Sequence, residues 1–354
     1  MIPRIVNLLT AVLMVLVAAP AAADPDYPKR PIKLITPFPP GGSTDMLARV
    51  LAPELSKRLG QTVIVENKAG AGGNIGLDAV AKADPDGYVL GLASPGPLVV
   101  NVSLMDKLPY SPLTDFTPVA LIADLPIVLV VHSSVPATSV QALIGMDKSD
   151  PGKLFFASAG VGTTMHLSGE LFNVMACTKM KHVAYKGAAP AVTDMLAGQV
   201  QVGFLDLPSA GPHVATGKLK LLAVGNRKRA LSAPNVPTIA EAGVPGYETS
   251  GWFGVVGPPK LPPAILQKVH QALTEAMASQ EVRSRLLAAG IERDENVQGW
   301  DLAEERFAFG RFARLRRCRL GLGQFNDGER RKLELAACGF GAAEIMPDEL
   351  ALGP

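Results

Sequence analysis

Two loops of the sequence combine glycines with hydroxyl side chains in a pattern that suits anion binding. The first, residues 38–45, reads Phe-Pro-Pro-Gly-Gly-Ser-Thr-Asp, and the second, residues 158–166, reads Ser-Ala-Gly-Val-Gly-Thr-Thr-Met-His. Glycines allow a backbone to approach a ligand closely, and hydroxyls donate hydrogen bonds. Each loop precedes a predicted helix whose first amide groups would point at an anion. Because Ser and Thr also cap helices, either loop alone could serve only its own helix.

The candidate ligand-binding residues come from these two loops and from two further strand ends. The loops contribute Phe38, Gly41, Gly42, Ser43, Thr44, Ser158, Gly162, Thr163 and Thr164. Ser94 follows a strand predicted at residues 88–93, and Asp206 follows one predicted at residues 200–205. In parallel sheets, ligands bind outside the carboxyl ends of the strands. We therefore expect the two loops to share one cleft, although Asp206 is equally well explained as a solvated turn carboxylate.

Signatures of catalysis, metal binding and nucleotide binding are weak. The five histidines are scattered, and no G-x-S-x-G motif is present. His166 follows the second loop, but a structural role is favoured over ligand contact. No Cys or His pair has metal-ligand spacing, and the glycine-rich residues 69–76 lack the Lys-Ser/Thr of a phosphate-binding loop. We expect a non-enzymatic protein without catalytic residues, metal or cofactor.

Short apolar segments alternate with helical patterns, which predicts an α/β fold. Strands are predicted at residues 32–38, 62–66, 88–93, 127–132, 154–157, 182–185, 200–205, 219–224 and 252–256. The order βαβαβ is typical of a parallel sheet covered by helices, and it occurs twice. The sequence thus predicts two lobes, each a mainly parallel sheet flanked by helices, with a ligand cleft between them. The predicted lobes are residues 24–124 plus 237–299, and residues 125–236.

The N-terminus has the pattern of a secretory signal peptide. Arg4 precedes an apolar run at residues 8–19, and Ala21-Ala22-Ala23 forms a small-residue cleavage site. The apolar run is shorter than the roughly 20 residues that span a bilayer, which disfavours a membrane anchor. We expect residues 1–23 to be removed on export to the periplasm, so that the mature chain begins at Asp24. The net charge of +2 without a basic stripe indicates no nucleic-acid partner.

The motifs resemble those of the periplasmic substrate-binding proteins of tripartite tricarboxylate transporters, the Bug receptors. The similarity covers residues 27 to about 297. It rests on residues 27–35 (YPKRPIKLI), 37–45 (PFPPGGSTD), 60–63 (GQTV), 65–76 (VENKAGAGGNIG), 83–88 (ADPDGY), 108–110 (LPY), 115–119 (DFTPV), 166–172 (HLSGELF), 182–187 (HVAYKG), 215–219 (ATGKL) and 236–247 (VPTIAEAGVPGY).

The resemblance implies a two-lobed periplasmic binding protein fold, type II-like, that closes on its ligand like a flytrap. Such receptors hold a ligand carboxylate through backbone amides, hydroxyls and waters without a salt bridge. It further implies delivery of the ligand to a permease with one large and one small integral membrane subunit. We expect the receptor itself to be a monomer. Three alternatives stay open: an orphan ligand sensor with a signalling partner, an ABC-type binding protein, and a periplasmic enzyme.

The C-terminal residues depart from the family pattern after about Val297. Family members end in an acidic helix with a late tryptophan. Here, residues 306–319 are rich in arginine, and a glycine-rich segment follows them. We interpret residues 300–354 as an atypical tail that arises from a reading-frame or gene-model change. We expect this tail to pack poorly.

Overall fold

The chain folds into two five-stranded sheets flanked by helices in the computed structural model, which describes residues 26–105 and 107–292. The strands are β1 (Ile32–Thr36), β2 (Val63–Asn67), β3 (Val89–Ala93), β4 (Thr117–Leu125), β5 (Ile127–His132), β6 (Phe155–Ser158), β7 (Lys181–Ala184), β8 (Val202–Asp206), β9 (Leu219–Val224) and β10 (Gly251–Gly257). The helices are α1 (Ser43–Leu59), α2 (Asn74–Ala81), α3 (Asn101–Leu104), α4 (Val140–Ser149), α5 (Thr164–Ala176), α6 (Ala188–Leu196), α7 (Leu207–Ala215), α8 (Pro263–Ala278) and α9 (Gln280–Ala288).

The two sheets share one topology. The first has the order β2-β1-β3-β10-β4, and the second has the order β7-β6-β8-β5-β9. In each sheet the first three strands are parallel, and the fourth is antiparallel to both of its neighbours. Four of the five strands therefore run in one direction, so their carboxyl ends lie at one edge. The predicted class, two lobes of mainly parallel α/β structure, is confirmed.

The helix α1 shows why the local sequence gives this architecture. Leu47, Leu51 and Leu55 recur every four residues and are almost completely buried, so they form the face that packs on the first sheet. Gly60 ends the helix in the left-handed conformation at φ 74°, where its N–H donates to the carbonyl oxygen of Ser56. The start of the helix therefore lies in the first candidate loop, at the edge of the sheet where the parallel strands end.

The strand β4 has no counterpart among the strands that the sequence predicts. It lies at the edge of the first sheet, where Pro118 is tolerated because only one side of the strand needs ladder hydrogen bonds. β4 ends at Leu125 and β5 begins at Ile127, so Pro126 alone separates the two sheets. The first of the crossings between the lobes therefore takes place at Pro126.

The segment after β9 packs on the second sheet. Ile239, Val244 and Tyr247 belong to one apolar cluster with Phe172 and Phe204, and the Tyr247 hydroxyl donates to the carbonyl oxygen of Ser168 at 2.8 Å. We therefore propose that the chain returns to the first lobe near residue 250, later than the predicted residue 237. The other lobe boundaries stay predictions.

The predicted signal peptide, its cleavage site and the atypical tail, residues 300–354, lie outside the described residues. Within residues 26–105 and 107–292, no helix has both the length and the apolar character that a membrane span requires.

Candidate functional site

A cavity that is partly open to solvent lies between the two sheets, and its empty space, with the solvent-open part included, is about 500 Å³. Polar lining residues come from the carboxyl ends of strands and the starts of helices, and apolar residues come both from these places and from the crossings between the sheets. The lining comprises Phe38, Gly42, Ser43, Thr44, Ser94, Pro95, Gly96, Leu125, Ile127, Ala159, Thr163, Thr164, Met165, Ala188, Asp206, Gly251, Trp252 and Phe253. Both lobes therefore contribute to one site.

Helix starts from both sheets converge on the cavity. α1 begins at Ser43 in the first lobe, whereas α5 and α6 begin at Thr164 and Ala188 in the second. The first amides of a helix have no partner within the helix and carry the positive end of its dipole. The site can therefore hold an anion without a cationic side chain.

The residues at the crossings form an apolar wall. Leu125 and Ile127 flank the first crossing, and Gly251, Trp252 and Phe253 begin β10 after the return to the first sheet. β10 pairs with β4 so that Gly251 lies opposite Leu125. This wall offers the body of a ligand an apolar surface, while the helix starts offer polar contacts.

Asp45 fixes the shape of the first loop. Its carboxylate accepts hydrogen bonds from the Gly41 amide at 3.1 Å, from Arg49 Nε at 2.9 Å and from Asn67 Nδ2 at 3.0 Å. Burial alone would raise the pKa of Asp45, but the hydrogen bonds from Arg49, Gly41 and Asn67 outweigh burial and lower the pKa. Gly41 has a φ of 84°, which suits glycine. The Asp45 carboxylate thus stays ionised and holds the backbone of the first loop in place through the Gly41 amide.

Thr163 fixes the shape of the second loop. Its hydroxyl accepts a hydrogen bond from the His166 amide at 3.3 Å and donates one to the Gly160 carbonyl oxygen at 2.7 Å. The Ser158 hydroxyl accepts from the Gly160 amide at 3.1 Å. Thr163 is therefore the N-cap of α5 as well as a lining residue of the cavity.

We expect Thr163→Val to lower the free energy of unfolding by about 0.5–2 kcal/mol, the usual effect of removing a hydroxyl N-cap. Thr163→Ser keeps the capping oxygen and is the matched control. Urea unfolding of the three proteins measures the difference. Equal stability of Thr163→Val and Thr163→Ser would show that the cap contributes nothing.

Asp206 joins the two lobes inside the cavity. One carboxylate oxygen accepts from the Ser209 amide at 2.8 Å and caps α7, and the other accepts from the Ser43 hydroxyl at 2.8 Å. The side chain is fully buried. Burial raises the pKa of Asp206, although the hydrogen bonds from Ser209 and Ser43 act in the opposite direction.

The raised pKa of Asp206 gives stability a defined pH dependence. A carboxyl whose pKa is higher in the folded than in the unfolded protein stabilises the fold most when protonated, and this contribution declines as pH rises above its ordinary pKa of 3.8. In Asp206→Asn, Oδ1 can still accept from the Ser209 amide and Nδ2 can donate to the Ser43 oxygen, but the side chain cannot ionise. We expect the unfolding free energy of the wild type, relative to Asp206→Asn, to fall as pH rises from 4. Denaturant titrations at a series of pH values measure both unfolding free energies. A difference between the two proteins that stays constant as pH rises would contradict the expectation.

The structure brings most of the sequence-predicted residues to the cavity. Phe38, Gly42, Ser43, Thr44, Ser94, Thr163, Thr164 and Asp206 line it. Three of the predicted residues do not line it. The Gly41 amide donates to Asp45, and Ser158, the first residue of the second loop, is fully buried. Gly162 faces Asn101 of the other lobe. His166 also lies outside the lining, and its Nδ1 accepts from the Gly162 amide at 3.3 Å. The roles of all these residues in ligand binding stay predictions.

The charge of the site is set by one side chain. Among the described residues that line the cavity, none is Arg, Lys or His, and only Asp206 is acidic. Hydroxyls, backbone amides and helix dipoles are therefore the groups available to an anionic ligand.

Comparison with known proteins agrees with this geometry. Residues 47–309 match the family model described as tripartite tricarboxylate transporter family receptor. The chain is 43% identical to the protein BugT of Bordetella pertussis over 275 residues, which cover 77% of this chain and 84% of BugT.

Two ligand-bound structures show the same fold. An adipate-bound protein from R. palustris is 38% identical, with a TM-score of 0.77, and the match covers 82% of this chain and 96% of that one. MatC from Rhodopseudomonas palustris with bound malate is 31% identical, with a TM-score of 0.76 and coverage of 81% and 97%.

Proposed function

The chain belongs to the tripartite tricarboxylate transporter receptor family, and on this basis we propose that it captures a small carboxylate in the cavity between its lobes. The observation that carries the proposal is the convergence of helix starts from both lobes on one cavity lined with hydroxyls. The family is one of solute-binding receptors, and the adipate and malate complexes of relatives support a carboxylate ligand.

Capture depends on closure of the lobes. The Ser43–Asp206 hydrogen bond and the approach of Gly162 to Asn101 join the two lobes around the cavity. A helix start favours an anion by about 0.3–1 kcal/mol when exposed, and by more when water is excluded. Closure excludes water, so it strengthens the interactions that hold the carboxylate. Because no exposed charge pair is involved, affinity should depend only modestly on salt.

We infer that the receptor acts in the periplasm and hands its ligand to a permease with one large and one small integral membrane subunit. Both sides of the cavity come from one chain, so a monomer suffices for capture. Nothing in this role calls for catalysis or a cofactor.

A ligand survey tests the function. The mature protein is purified from periplasm, and released small molecules are identified by mass spectrometry. A thermal-shift screen then compares carboxylates, including adipate and malate, with matched amides such as adipamide. We expect at least one carboxylate to stabilise the protein, by about 2.7 kcal/mol at one hundred times its Kd, while its amide does so less. Stabilisation by neutral compounds alone would overturn the assignment.

A further inference from the structure

A second cluster of side chains lies below the second loop, outside the cavity. His166 and Glu170 stand four residues apart on α5, and His182 lies on the neighbouring strand β7. One nitrogen or oxygen atom from each of the three side chains lies within 4.8 Å of the other two. The two imidazole rings are 4.2 Å apart between centroids, and His166 Nε2 lies 3.9 Å from Glu170 Oε1.

We propose that His166, Glu170 and His182 bind a divalent transition-metal ion, with Zn²⁺ as its representative. Two imidazoles and one carboxylate are a ligand set that zinc accepts, with a fourth position left for water. Imidazole nitrogens favour zinc, copper and nickel over magnesium and calcium. The Glu170 side chain is 45% exposed, which gives an ion access from solvent.

The surroundings of His182 suit a metal ligand. Its Nε2 lies 2.6 Å from the Ser158 hydroxyl, and its ring stacks on Phe156 at 4.9 Å. A ligating histidine usually donates its other ring N–H to a neighbouring oxygen, which fixes the ring. With Nε2 bonded to Ser158, Nδ1 of His182 is available to the ion.

The coordination of His166 has a structural consequence. Its Nδ1 accepts a hydrogen bond from the Gly162 amide, and its Nε2 faces Glu170. A metal ion on Nε2 requires the proton to reside on Nδ1, and a protonated Nδ1 cannot accept from that amide. Zinc ligands lie about 2.0–2.2 Å from the ion, so the three side chains must also draw together slightly. Metal binding should therefore displace the Gly162 amide from its present hydrogen bond.

Calorimetry with Zn²⁺ tests the site on the chelator-treated mature protein. We expect one ion per chain, and we expect Glu170→Gln and His182→Gln each to weaken binding at least about tenfold, since even residues behind the ligands contribute about 10–100-fold. His213→Gln, on α7 away from the cluster, is the control and should bind like the wild type. Undiminished Zn²⁺ affinity in Glu170→Gln, with its melting temperature unchanged, would overturn the proposal.

Nuclear magnetic resonance locates the ion independently. The amide signal of Gly162 should shift on addition of Zn²⁺ to the wild type and stay in place in Glu170→Gln. An unshifted Gly162 signal in zinc-saturated wild type would place the ion elsewhere and contradict the proposed ligands.

Discussion

Gly162→Ala is expected to weaken ligand binding by about 5- to 140-fold while both lobes stay folded. A Cβ atom at Gly162 would lie 1.9 Å from Asn101 Oδ1 in the other lobe, and Gly162 has a φ of 80°. Asn101 is fully buried and donates to Asn74 Oδ1 at 2.8 Å, so its side chain has little freedom to move. Overpacking at this contact costs about 1–3 kcal/mol on closure, and each 1.4 kcal/mol or so is tenfold in affinity. The strain of a positive φ is present in the open and the closed protein alike, so it lowers stability and leaves affinity unchanged.

Two matched variants separate closure from backbone strain. Gly217 has a similar φ of 71°, but a Cβ atom there would meet nothing within 4 Å, so Gly217→Ala reports strain alone. Gly96 is free of positive φ, yet its Cβ atom would lie 3.0 Å from the Gly162 carbonyl oxygen. Gly96→Ala should therefore weaken binding without backbone strain, through this contact and, because Gly96 lines the cavity, through lost ligand space. Calorimetry with the ligand recovered from the wild type measures all three, and Gly162→Ala binding as tightly as Gly217→Ala would contradict closure at this contact.

Gly42→Leu is expected to prevent binding, with a loss of at least about 100-fold, by filling the cavity. Gly42 lines the cavity at the start of α1 and has φ −87° and ψ 173°, an extended conformation that any residue adopts. The nearest atom to a Cβ there would be the Pro39 carbonyl oxygen at 3.9 Å, so the fold can accept a side chain. A leucine side chain would occupy ligand space and cover the first amides of α1. Gly42→Ala adds only one methyl group and should weaken binding less than tenfold.

The polar part of the site could be predicted from local sequence. Gly42, Ser43 and Thr44 follow a strand and begin a helix, and Thr163 and Thr164 do the same in the second unit. Glycine and hydroxyl residues at a strand-to-helix turn carry this signal within a few residues. Because parallel strands bring such turns to one edge, the two loops could be expected near each other.

The apolar part of the site depends on contacts that no local pattern shows. Trp252 lines the cavity because β10 inserts between β3 and β4, two strands that precede it by more than one hundred residues. Leu125 lines the cavity because it ends the edge strand β4, which the sequence does not predict. In the same way, His166 and His182 become neighbours only because α5 packs beside β7. Pairings at long sequence separation decided these positions.

The central claim is that a small carboxylate binds between the helix starts of the two lobes. Titration calorimetry of the ligand released from the periplasmic protein, on ligand-free wild type and Gly42→Leu side by side, tests it most directly. We predict one bound molecule per wild-type chain and no detectable binding to Gly42→Leu, with the same unfolding profile for both proteins. Equal affinity of the two proteins for that ligand, with the fold of Gly42→Leu intact, would show that the ligand binds elsewhere.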